Sequence, residues 1–155
     1  MKLRSAGLLI YRWRECGIEV LLVHPGGPFW HNKDAGAWQL PKGVIDPDEE
    51  PAAAARREAR EELGVMLEGE LMPLGEIRQA GGKYVEAFAL EHDLDAEAIE
   101  SNMFEMEWPP KSGHVQSFPE VDAARWFALA EARAMMLESQ KPLLDRLAEM
   151  DLHQG

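Results

Sequence analysis

The chain has 155 residues, 46% of them hydrophobic, and its 28 acidic against 16 basic side chains give a formal net charge of -12. That length and apolar content predict one compact soluble domain over residues 1–155 and exclude both intrinsic disorder and a disulfide-stapled miniprotein. A surface this acidic offers no basic stripe whose counterion release could drive binding along a polynucleotide, so DNA is not an expected partner.

Cys16 stands alone, which leaves no intrachain disulfide and no thiolate zinc site. His24, His31, His92, His114 and His153 are too widely spaced for a local metal-binding pair. The longest apolar runs, 6–10 and 20–23, are far short of a membrane span, and the N-terminus has no signal-peptide architecture. A cytoplasmic location with no membrane partner is the expectation. Oligomeric state is left open.

Along the chain, residues 3–13 read as a buried strand through Ala6, Leu8, Leu9, Ile10 and Tyr11. Cys16-Gly17 then turns it into a second strand at 18–23, forming a hairpin. Residues 24–36 hold Pro25, Gly26, Gly27, Pro28 and Gly36 beside Phe29 and Trp30, a turn-rich loop suited to touching a ligand. A short strand is predicted at 38–40.

From 50 to 63 the composition becomes Ala, Arg and Glu, which predicts a helix. Pro51 is tolerated in a first turn, Asp48 to Glu50 complement the positive end of the dipole, and Gly64 suits the residue just past the end. Further strands are predicted at 71–79, at 83–91 after a Gly81-Gly82 turn, at 102–108 and at 124–128. Helices are predicted at 130–139 and at 142–150, the latter through Leu143, Leu144, Leu147 and Met150. The pattern is that of an α/β fold, a mixed sheet flanked by helices.

Glu58, Glu61 and Glu62 recur at i, i+3 and i+4, so their carboxylates share one sector of the helix. With Arg56, Arg57 and Arg60 interleaved, that spacing alone fits an ordinary solvated helix equally well. The wider spacing is more specific. Residues 43–65 read GVIDPDEEPAAAARREAREELGV, and Gly43, Glu49, Arg57, Glu58, Glu61, Glu62 and Gly64 fall at the fixed positions of the Nudix box.

The chain thus resembles the Nudix hydrolases, which cleave nucleoside diphosphates linked to another moiety. The resemblance implies a Nudix-type α/β/α sandwich whose box forms a loop, a helix and a loop. It further implies that Glu58, Glu61 and Glu62 bind magnesium, or manganese as a substitute, that Gly43 offers a backbone carbonyl, and that Glu49 pairs with Arg57. Glu62, Glu61 and, outside the box, Glu120 are the catalytic candidates. Two positions depart from the family pattern: Ala59 replaces a larger aliphatic residue, and Asp48 stands where glycine is frequent.

SAGLLIYR at 5–12 and WQLPKGVID at 38–46 resemble the dinucleoside tetraphosphate hydrolase branch. The second also resembles the bacterial branch that removes pyrophosphate from RNA ends, although that group generally has Gln where Lys42 stands. Lys42 and Lys83 are candidate phosphate contacts, and Lys111 is a further one. Trp38 is a candidate face for a base, as are Phe29, Trp30, Tyr84, Phe104 and Trp108, with Phe104, Met106 and Trp108 also readable as one packed strand face.

The expected function is metal-dependent cleavage of a phosphoanhydride bond in a small nucleotide, either a dinucleoside polyphosphate or a nucleoside triphosphate. The alternatives are a non-catalytic nucleotide-sensing or protein-binding module and an RNA 5′-end pyrophosphohydrolase.

Overall fold

The computed structural model describes residues 4–150 apart from Cys16 and Ala80; the expectations placed on Leu3, Cys16 and His153 lie outside the described residues. Strand β1 (Arg4–Arg14) organises the sheet. Its second half pairs antiparallel with β2 (Gly17–Pro25), its first half antiparallel with β3 (Lys42–Val44), and its other edge parallel with β5 (Tyr84–Glu91). β4 (Met72–Arg78) lies outside β5, and a last strand (Val121–Ala128) lies outside β2.

Alternation along β1 produces two cores, because successive side chains point to opposite faces of a sheet. Ala6, Leu8 and Ile10 pack with Leu21 and Val23 against Ala54, Ala55, Ala59 and Leu63 of α1 (Pro51–Leu63). Leu9, Tyr11, Val20 and Leu22 face the other way, toward Ala132 of α2 (Leu129–Met135) and Leu143, Leu144 and Leu147 of α3 (Pro142–Glu149). Each fully buried leucine contributes about 1.5–3 kcal/mol. The result is the α/β/α sandwich, and the small Ala59 is what meets the sheet beneath α1.

Helix α1 begins with Pro51 and ends at Gly64, whose φ of 72° is left-handed and whose N–H donates to Arg60 O. A Cβ there would overlap the Glu100 carbonyl, so glycine is required twice over. Asp48 is also left-handed, at φ 65°. Asp is among the few side chains that tolerate this region, which accounts for its standing at a position where glycine is frequent.

Four expectations change. The strand at 38–40 reduces to isolated bridges, Gln39 with Val23 and Trp38 with Met136. The helix expected over 130–139 stops at Met135, because Met136 turns extended and Leu137 N–H donates to Trp38 O. The strand over 102–108 is β6 (Met103–Glu107), and it gains a partner that sequence reading missed, β7 (Val115–Pro119), in a separate two-stranded ribbon. The last strand of the main sheet is therefore β8 (Val121–Ala128), three residues longer at its start than predicted. Among the described residues, no helix is long and apolar enough to cross a membrane.

Candidate active site

β3 runs past the middle of α1, and Gly43 comes so close that a Cβ would overlap the Glu58 carboxylate. Arg57 then ties helix to loop. Its Nε and Nη2 donate to the two oxygens of Glu49 at 2.8 and 2.9 Å, and Nη2 also donates to Val44 O at 3.0 Å. Asp46 N–H adds a third bond to Glu49 at 3.1 Å. The Arg57 hydrogen bonds, aided by the Asp46 amide, hold the Glu49 carboxyl down at about 2.

The remaining Arg57 nitrogen reaches across to the box acids, 2.8 Å from Glu58 and 3.4 Å from Glu61. Glu62 keeps some surface open but is surrounded by protein. Burial pushes its carboxyl up to about 8; Lys42 opposes the rise through its charge and its backbone amide, while Glu120 and Glu58 add to it. Glu58 is raised by burial despite Arg57, and Glu120 is raised by burial and then by Glu58 and Glu61. Glu58, Glu61, Glu62 and Glu120 therefore form one repelling group.

Glu120 reaches this group from the bend between β7 and β8. Its carbonyl accepts from Gly26 N–H at 3.0 Å, and its N–H donates to Asn102 O at 2.8 Å. Among the described residues, no three His, Cys, Asp or Glu side chains stand in a ready-made metal-holding arrangement. Arg57 lies across Glu58 and Glu61, and Glu62 turns toward Lys42. The donor chemistry nonetheless suits a hard divalent cation: the group is all oxygen, and its mutual repulsion is what such a cation relieves.

A cleft of about 360 Å³ opens beside these acids, with Glu62, Glu120, Lys42 and Lys83 on its walls. Burial and the neighbouring Lys83 lower the Lys42 ammonium, against the pull of Glu62 and Glu58. Trp30 also lines the cleft.

Trp38 does not, which corrects its expected role as a substrate contact. It is 5% exposed, its ring packs edge-on to His24 and Phe127, and its Nε1 donates to Asp34 at 2.8 Å. A side chain so enclosed is core. Lys111 sits exposed at the tip of the β6–β7 ribbon, its N–H bonded to Glu107, and also lies off the cleft. Trp108 packs on Phe29 and Phe104 on Phe118, within the ribbon and the loop beside it.

Two polar lining residues were missed by sequence reading, Gln39 and Gln79. The Gly81-Gly82 turn carried a signal for Gln79, since it closes with Gln79 N–H donating to Lys83 O at 2.7 Å and so sets the two side by side. Gln39 stood within WQLPKGVID without being singled out.

The NUDIX domain model matches residues 1–147. The chain belongs to the NUDIX family. It is 32% identical over 125 residues to an RNA pyrophosphohydrolase of Acidiphilium cryptum, covering 72% of this chain and 69% of that protein. It is 40% identical over 68 residues to the asymmetrical bis(5′-nucleosyl)-tetraphosphatase of Caenorhabditis elegans, covering 44% of this chain and only 45% of that enzyme. Among solved structures, a C. elegans Ap4A hydrolase binary complex superposes with a TM-score of 0.64 at 25% identity, covering 93% of this chain and 95% of the other.

Proposed function

We propose that this chain is a nucleotide pyrophosphohydrolase that breaks a phosphoanhydride bond in a small nucleotide by attack of water on phosphorus. The carrying observation is that Glu62 and Glu120 share one cleft with Lys42 and Lys83, with the charges of Glu58 and Glu61 close enough to act on them. Acids alone would repel a polyphosphate. Magnesium, or manganese in its place, held by Glu58, Glu61, Glu62 and the Gly43 carbonyl, would offset that charge and supply Lewis-acid stabilisation of the departing phosphate.

The chain's own groups divide the remaining work. Lys42 and Lys83 hold phosphate oxygens as point charges. Glu62, in the ionised form that Lys42 and a bound cation favour, accepts a proton from the attacking water; Glu120 is the second candidate for that step. Glu49, Arg57 and Gly64 keep loop and helix in register. The substrate is a dinucleoside polyphosphate or a nucleoside triphosphate, and the single cysteine fits a reducing, cytoplasmic setting.

The test is a magnesium-dependent screen of nucleotides read by mass spectrometry, whose product masses report both the substrate and the bond broken. Glu62→Gln is expected to lower turnover at least about a hundredfold. Binding without cleavage across the panel would replace the enzyme with a nucleotide-sensing module.

A second reading, removal of pyrophosphate from RNA 5′ ends, is favoured by the likeness to the A. cryptum enzyme. The charge of -12 opposes a long RNA track, but one terminal triphosphate needs none. Faster release from a triphosphorylated oligonucleotide than from diadenosine tetraphosphate would establish it over the first.

A further inference from the structure

The cleft has two chemically distinct parts. Lys42, Lys83, Glu62 and Glu120 make one charged, while Val23, Trp30, Leu40 and Leu137 make the other apolar. Gln39 belongs to the apolar part: its backbone exchanges hydrogen bonds with Val23 at 2.8 and 2.9 Å, and its neighbour Trp38 accepts from Leu137 N–H at 2.8 Å.

The amide of Gln39 has a fixed orientation. Gln140, from the short turn between α2 and α3, is 0% exposed, and its Oε1 accepts from Leu40 N–H at 3.0 Å. A backbone N–H can only donate, so the Gln140 atom facing Leu40 is its oxygen and the other end is its NH2. That NH2 lies 3.4 Å from the Gln39 side chain, which must therefore offer its oxygen in return. Gln39 lines the cleft, and its NH2 is the end of the amide that Gln140 does not engage.

We infer that Gln39 is a specificity-determining residue that donates a hydrogen bond to an in-plane acceptor of the substrate's nucleobase, and that Gln140 is the residue that positions it. This rests on the nucleotide reading above. The lysines already serve the phosphates, whereas a planar base fits against Trp30 and the aliphatic wall with its edge toward the amide. A free glutamine would rotate to meet either a donor or an acceptor. The buried partner removes that freedom, so the cleft favours an acceptor edge.

Binding of AMP and of ribose 5-phosphate, followed by NMR titration, tests this without turnover. Gln39→Leu is expected to weaken AMP about fivefold, the size of one neutral hydrogen bond, and to leave ribose 5-phosphate unchanged. Gln140→Leu should weaken AMP in the parent chain yet add nothing in the Gln39→Leu background, because it acts through Gln39. Equal loss for both ligands, or none for either, overturns the inference. An additive effect of Gln140→Leu overturns its positioning part, and should that variant fail to fold, Gln39→Leu at the cleft wall decides alone. A parent chain that binds neither ligand overturns the nucleotide reading itself, whereas AMP binding indifferent to Gln39 overturns only this inference.

Discussion

Arg57 clasps Glu49 through two parallel hydrogen bonds, Nε to Oε2 at 2.8 Å and Nη2 to Oε1 at 2.9 Å, so the loop before α1 is pinned to the helix it precedes. The pair makes stability acid-sensitive in a defined window. Glu49 is held at about 2 in the folded chain against 4.5 when free, so its contribution is present above 4.5 and lost as pH falls toward 2. Glu49→Gln should flatten that part of the profile. Urea midpoints at about pH 5 and about pH 2.5 measure it, and an unchanged slope in the variant would refute the assignment.

Glu62 acts in the opposite sense. Its carboxyl is raised from 4.5 to about 8, so in protein stripped of divalent cations its contribution is greatest below 4.5 and is lost as pH rises through 8. Glu62→Gln is expected to be more stable than the parent at alkaline pH. Glu58 and Glu120 are shifted the same way, so a shallower slope remains. Thermal melts in a chelator across this range would show it; a parent no less stable at high pH would contradict it.

Gly43→Ala places a methyl group where the Glu58 carboxylate now sits. Turnover should fall at least about tenfold, because a displaced ligand of about 1 Å costs more than the backbone change itself. The comparison is activity against melting temperature. Full activity in this variant would show that Glu58 does not need its present position.

Trp38 supplies the control for the aromatic residues. Trp38→Ala should cost about 3–5 kcal/mol through the cavity it leaves, whereas Trp38→Phe should be milder and change KM by less than about twofold. A large rise in KM for the folded Phe variant would return Trp38 to the substrate site.

What the sequence disclosed depended on how local the cause was. α1 was readable because Pro51, the Ala-Arg-Glu run and Gly64 act within a few residues of one another, and its acids came with their spacing. β7 was not: Val115, Gln116 and Ser117 are all exposed, so no alternation marks the strand. Trp38 was misread because it lies beside a turn-rich loop, and only the packing of His24 and Phe127 shows it enclosed. The lock on Gln39 joins residues 101 apart in the chain, and neither glutamine carries any mark of the other. Asp48 read as a departure, and the backbone angle that explains it is a property of the folded loop.

The parallel union of β1 with β5 sets the order in which this protein can be born. Arg4 pairs with Tyr84 and Tyr11 with Glu91, so β1 leaves the ribosome with one long edge bare until β5 follows it out. Until then the nascent chain offers a hydrophobic, unpaired border to its neighbours.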